Sequence, residues 1–229
     1  CGFEQDTALR SCNEILIASA DDLSDGLYWI DPDNDGDTSD AWQAYCDMTR
    51  DDGGWTLVMQ NNFSIFHGVN LSYSQSLFDI TIRGGSLTDN LADFDLWVGL
   101  AEWGDIGTES RIEVSNVPGV PVQQGFYTLT LNESDGYRLS MSNQVLVGTD
   151  VEPGIYNYHA AGNYRLTASD TDQDIHGGNC SNFYNSPWWY GGCWSGNLWG
   201  STSGYSAHAF WTGSSPGTET YDWGVIWLR

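Results

Sequence analysis

Three carboxylates alternate along the backbone at Asp170, Asp172 and Asp174. Such neighbours repel one another unless a cation sits between them, and hard oxygen donors select calcium. Cys180 and Cys193 follow and close a short loop, and Trp188, Trp189, Tyr190, Trp194 and Trp199 crowd into and around it. Clustered aromatics beside a polar, stapled loop offer a stacking surface for a ligand. This chemistry is cation-ordered recognition rather than bond cleavage.

A second acidic run, D-P-D-N-D-G-D-T-S-D, occupies residues 31–40. Asp31, Asp33 and Asp35 are spaced by two and Gly36 follows, which is how a calcium loop of the EF-hand or a related short-repeat type opens. Trp42 stands at the twelfth position, where such a loop places a bidentate glutamate. Asp37 or Asp40 must then complete the shell. The same residues also suit a polar hairpin tip made of turn formers, and the two readings stand side by side. His67, His159, His176 and His208 are scattered and form no zinc spacing. Neither a G-x-S-x-G nor an H-E-x-x-H pattern occurs, so nothing points to a hydrolase.

Composition narrows the partners. The net charge is −24, and all seven basic residues are arginine. Phosphate backbones and anionic membranes would repel such a chain, which excludes nucleic acid as a partner. No run of apolar residues is long enough for a spanning helix. The five cysteines, Cys1, Cys12, Cys46, Cys180 and Cys193, contain no C-x-x-C pair. Disulfides in an oxidising compartment fit them better than zinc ribbons or redox motifs. Four can pair and one remains. Cys1 is a candidate for an intermolecular bond or a lipid-modified N-terminus.

The elements that must position these groups are short. Ser11 and Glu14 make a capping box ahead of the apolar Ile15-Leu16-Ile17-Ala18, so a short helix starts there. Residues 26–30, 42–46 and 55–59 read as strands, with a turn over 47–54. Residues 111–114, 127–131, 137–141 and 164–167 alternate as antiparallel strands do. Glycine at 27 residues and tryptophan and tyrosine at 12 each suit a loop-rich fold with an aromatic core. For most of these tryptophans core packing is the plain role.

The stretches S-C-N-E-I, G-L-Y-W-I-D-P-D and Y-C-D-M-T-R-D-D-G-G-W-T-L-V resemble the N-terminal part of a fibrinogen C-terminal-like domain. The D-x-D-x-D, cysteine, W-W-Y, cysteine order of residues 170–193 is similar to that family's most distinctive region. The resemblance implies an α+β fold with antiparallel sheets, short helices and a loop-rich, calcium-binding, tryptophan-rich C-terminal part. Residues 1–229 then form a single domain with subdivisions at 1–60, 61–165 and 166–229. Phe94 to Leu100 matches a buried strand of relatives. The implied disulfides are Cys12–Cys46 and Cys180–Cys193.

Carried over by position, the family's calcium ligands are the carboxylates of Asp172 and Asp174 and the carbonyls of His176 and Gly178. Its ligand pocket lies beside that ion. Tyr184 matches a pocket tyrosine by its distance from Cys180. Trp194 stands where relatives have a histidine and could stack on a sugar face. Tyr221-Asp222-Trp223-Gly224-Val225-Ile226-Trp227 resembles the family strand that puts Tyr221 and Asp222 on the pocket wall. If Val225 to Arg229 is instead the closing strand, that placement falls.

The resulting expectation is a secreted or surface-displayed, calcium-dependent recognition domain without catalysis. Its ligands are glycans or acetylated or cationic surface groups, and it forms a homo-oligomer. The alternative is a structural protomer of an extracellular oligomer or filament, with calcium as a stabiliser.

Overall fold

Ser11 is extended, and its Oγ accepts the Glu14 amide at 3.4 Å, which starts helix α1, Cys12–Ala18. Glu14 Oε2 reaches the Arg10 amide at 3.2 Å, one residue before the partner a capping box uses. Cys12 and Ile15 face inward from this helix, and Cys12 is bonded to Cys46, with Cα atoms 5.6 Å apart. The computed structural model describes residues 2–62, 84–85, 87, 90, 96–115, 117, 119–121, 123–147, 163–184, 186–193, 209–210, 219–220 and 223–229.

Strands β1, Gly26–Ile30, and β2, Trp42–Asp47, form an antiparallel hairpin whose tip is the acidic run. Strand β3, Trp55–Asn62, pairs next to β2. The turn between them explains the G-G-W motif. Gly53 has φ +69°, and a Cβ there would lie 2.2 Å from the Met48 carbonyl oxygen, so only glycine fits.

Further along the chain come β4 (Gly84–Gly85), β5 (Leu96–Trp97), helix α2 (Leu100–Ile106), β6 (Glu109–Ser115), β7 (Gln123–Asn132) and β8 (Arg138–Val147). Helix α3 is Cys180–Tyr184, β9 is Ala209–Phe210, β10 is Glu219–Thr220 and β11 is Trp223–Leu228. The main sheet runs β1-β2-β3-β11-β6-β7-β8, antiparallel throughout, with β5 joining β3 to β4. β9 and β10 pair separately. The last strand in the chain therefore lies between β3 and β6, in the middle of the sheet. Every residue of its W-G-V-I-W-L run is buried, as expected of a strand covered on both faces.

Two local expectations change. Residues 164–167 make isolated bridges, Thr167 to Trp188 and Ala168 to Thr171, instead of a strand. Their neighbourhood is bonded to the β7–β8 turn: Leu139 donates to the Tyr164 carbonyl and Leu166 to the Gly136 carbonyl. In the second case, of the strand expected over Phe94 to Leu100, the described residues hold Leu96–Trp97 and α2 begins at Leu100, while Phe94 and Asp95 lie outside the described residues.

The centre of the sheet holds an ionic cluster wrapped in indole rings. The guanidinium of the fully buried Arg111 lies 5.0 Å from the Trp55 ring centroid and 4.9 Å from that of Trp227. It pairs with Asp47 and, at 3.0 Å, with Asp51. Arg50 bonds Asp47 at 2.8 Å and Glu113 at 3.0 Å. Trp227 Nε1 donates to Glu113 Oε2 at 2.8 Å, and Trp223 Nε1 to Gln60 Oε1 at 3.0 Å. These two buried indoles thus keep their N–H groups bonded.

Candidate functional site

The loop of residues 170–193 is built outward from the β7–β8 end of the sheet. Tyr137 opens β8, and its carbonyl accepts Trp189 Nε1 at 2.7 Å. Its hydroxyl donates to Glu133 at 3.2 Å, and burial, then the Glu133 charge, push that hydroxyl up to about 12. Gln173 ties the acidic bend down, with Nε2 donating to the Leu166 carbonyl at 2.7 Å and its amide to Thr167 Oγ1 at 3.1 Å. Asn179 Nδ2 donates to the Ala168 carbonyl at 2.8 Å. Cys180 and Cys193 are bonded, with Cα atoms 5.0 Å apart, and close the far end.

Asp174 is the centre of the bend. Its Oδ1 accepts the His176 amide at 2.8 Å and its Oδ2 accepts the Cys180 amide at 2.9 Å. One carboxylate therefore holds both the loop and the first turn of α3. An ionised carboxylate has about four acceptor positions, so each Asp174 oxygen retains capacity for a cation. Asp170 and Asp172 are exposed, and Asp170 Oδ1 accepts the Thr171 hydroxyl at 3.1 Å. The carbonyl of Gly178 faces His176 Nδ1 at 3.1 Å. An oxygen-only set of Asp172, Asp174 and the carbonyls of His176 and Gly178 fits a hard cation. His176 is exposed, as a solvent-facing loop histidine is expected to be. Its ring also approaches the sulfurs of Cys180 and Cys193, but those are bonded to each other and unavailable as thiolates.

Trp188, Trp189 and Tyr190 pack as core, the plain role expected of most of the tryptophans, rather than as a stacking surface beside this loop. Trp188, Trp189 and Tyr190 are at most 1% exposed. Trp188 meets Trp189 edge-on at 5.2 Å, and Trp189 packs at 6.3 Å from Trp103 of α2. These rings are core because the bridge from Thr167 to Trp188 draws their backbone against the sheet. Tyr184 is half-buried and stacks on Tyr190 at 5.9 Å. The exposed apolar side chains here are Ile175 (74%) and Phe183 (65%), with Phe183 edge-on to His176 at 6.1 Å. Sequence reasoning missed Phe183. Helical spacing of the inward Cys180, Ser181 and Tyr184 would have turned it outward, but no helix was expected there.

Trp194, Trp199, Tyr221, Asp222 and Cys1 lie outside the described residues. Trp223–Leu228, which follows Tyr221 and Asp222 directly, is a strand of the main sheet.

The acidic hairpin tip is reorganised relative to the expected five-ligand loop. Carboxylate oxygens of Asp31, Asp33 and Asp40 gather within 4.8 Å of one another. Asp35 and Asp37 stay outside this group and cap the turn: Asp35 Oδ1 accepts the Asp37 amide at 2.7 Å, and Asp37 Oδ1 the Ser39 amide at 3.0 Å. Burial, then the Asp33 and Asp40 carboxylates, push the Asp31 carboxyl above its ordinary range.

An antiparallel sheet thus holds the strand Trp223–Leu228 in its middle and carries a disulfide-stapled acidic loop. The family described as fibrinogen beta and gamma chains, C-terminal globular domain, matches residues 8–229, and the chain belongs to that family. Domains of this family commonly mediate ligand recognition. Fibrinogen C domain-containing protein 1-B of Xenopus laevis is 27% identical over 198 residues, covering 82% of this chain and 39% of that protein. The fibrinogen alpha-2 chain of Petromyzon marinus is also 27% identical, over 82% of this chain and 29% of its own length. The chain thus spans less than half of these relatives. Among solved structures, the fibrinogen-like globe domain of human ANGPTL6 superposes with a TM-score of 0.72 at 20% identity, covering 96% of this chain and 95% of that one. Lamprey fibrin D-dimer, solved with the peptide Gly-His-Arg-Pro-amide, gives 0.72 at 18% identity, covering 96% and 73%. No helix among the described residues is long and apolar enough to cross a membrane.

Proposed function

We propose that this chain is an extracellular, calcium-dependent recognition domain that binds carbohydrate, in the manner of a lectin or adhesin, without catalysis. The observation that carries the reading is Asp174, whose carboxylate draws the His176 and Cys180 amides to one point. Calcium held by Asp172, Asp174 and the carbonyls of His176 and Gly178 would screen the repulsion along the bend and keep it closed. The bend leaves Ile175 and Phe183 exposed, with Phe183 edge-on to His176. An exposed ring next to polar loop groups suits a sugar face, an acetyl methyl or the stem of a cationic group. The strong negative charge favours neutral or cationic ligands over phosphorylated ones.

The test is a glycan array probed in calcium and again in chelator, with Asp172→Ala beside the parent chain. Calcium-dependent binding that disappears in Asp172→Ala is the expected result. Binding that persists in the variant with chelator present would sink the coupling.

A second reading, a structural protomer, draws on the long strand β8. It ends the sheet among the described residues and exposes Val145 and Val147. An open edge of this kind can accept a strand from another copy. Sedimentation that shows assembly, with an array that shows no glycan signal, would favour it.

A further inference from the structure

Three acids are buried among the described residues: Asp31, Asp47 and Glu113. Asp47 and Glu113 are held by arginines. Asp31, 3% exposed, has no arginine, and every charge acting on it comes from another carboxylate. Its one side-chain hydrogen bond is to Asp33, itself an acid, and a buried carboxylate among carboxylates with no counter-charge is unfavourable, so this position asks for a cation.

The surroundings provide space and further ligands. Asp31 lines a pocket of about 190 Å³ together with Asp33, Asp40, Trp42, Glu102 and Asp105, and no basic residue lines it. Glu102 and Asp105 come from α2, spaced by three so that they share one helix face. Glu102 is set in place by Trp42 Nε1, which donates to its Oε2 at 2.9 Å. The hairpin tip is also anchored from behind, where Gln5 Nε2 donates to the Thr38 carbonyl at 2.9 Å and the Asp31 amide to the Leu9 carbonyl at 2.9 Å.

We infer that the Asp31, Asp33 and Asp40 carboxylates, with Glu102 and Asp105 across the pocket, form a second divalent-cation site that staples the β1–β2 hairpin to α2. The ligand class is calcium. All donors are carboxylate oxygens, the hard ligand type that calcium takes, and those of the three hairpin residues lie close enough together to share one ion. The site differs from a linear acidic loop because its far wall lies some sixty residues away in the chain. It also reaches the recognition loop through α2, since Trp103 packs on Trp189.

The experiment is calorimetric titration of calcium into the chelator-stripped chain, with thermal unfolding followed alongside. The parent should take up two ions. Asp33→Asn/Asp40→Asn should take up one and lose part of the calcium-induced rise in Tm. Glu102→Gln leaves the hairpin untouched, keeps the fold, and should weaken one of the two sites about tenfold. Asp35→Asn should titrate as the parent does. An unchanged stoichiometry in Asp33→Asn/Asp40→Asn, or an unchanged affinity in Glu102→Gln, overturns the inference. A failure of the Asp172 reading shows separately, as a parent-like titration of Asp172→Ala.

Discussion

The Cys180 amide donates to Asp174 Oδ2 at 2.9 Å, so the acidic bend and the start of the disulfide loop form one hydrogen-bonded unit. Removing that carboxylate strands two amides and one cation ligand together. In chelator, Asp174→Ala should lower stability by about 2 kcal/mol in urea unfolding. It should also abolish any Tm rise on adding calcium. Asp174→Asn retains a neutral acceptor, so it should recover part of the stability without recovering the calcium response. A full calcium response in either variant would show that Asp174 is no ligand.

The exposed Phe183 and the buried Trp188 separate recognition from packing. Phe183→Ala should leave stability within about 0.5 kcal/mol of the parent, as surface substitutions do, while reducing ligand retention on the array. Trp188→Ala removes a ring from the core and should lower stability by about 3–5 kcal/mol. Ligand binding that is indifferent to Phe183→Ala moves the recognition face elsewhere.

Arg111 answers the charge of Asp47, Asp51 and Glu113 from a position with no solvent contact. Arg111→Met should lower stability by about 3–5 kcal/mol, because it leaves the buried Asp47 and Glu113 to share the single charge of Arg50. Arg111→Lys should rescue little of this. An ammonium cannot reproduce the planar stacking between Trp55 and Trp227 or the forked donation to two carboxylates.

Acid sensitivity should follow Asp47. Burial alone would raise its pKa. The Arg111 charge, the Arg50 amide and the Arg50 guanidinium outweigh burial and hold it below the ordinary value, with Asp51 and Glu113 sharing the same arginines. A depressed folded pKa contributes stability that is complete above the unfolded value of about 3.9. That contribution is lost as pH falls through the lower folded value. The urea midpoints of the parent and Asp47→Asn should therefore lie far apart at neutral pH and converge as pH drops below about 4. A gap that stays constant down to strong acid would mean the parent's Asp47 does not titrate in this window.

Much of the site was legible because its parts are close in sequence. The alternating Asp170, Asp172 and Asp174, the Cys180 to Cys193 spacing and the Gly53-Gly54-Trp55 turn each state a local constraint: repulsion, loop closure or positive φ. The Ser11 cap is equally local, and it forms with a one-residue shift of its glutamate contact. What short spacing left open depends on distant partners. A run such as Pro187-Trp188-Trp189-Tyr190 has no period that tells which face is covered. Its rings turned inward because Thr167 and Tyr137 capture them.

The chain by itself determined the family, the carboxylate donor type of its acidic runs and its strong negative charge, since charge, ligand type and short spacing are properties of neighbouring residues. The tertiary structure decided that the final strand fills the middle of the sheet. It also decided that Phe183, not Trp188 or Trp189, faces solvent, and that Glu102 and Asp105 meet Asp31 across a pocket. Those outcomes arise where segments far apart in the chain compete for the same buried surface, and no local pattern records the winner.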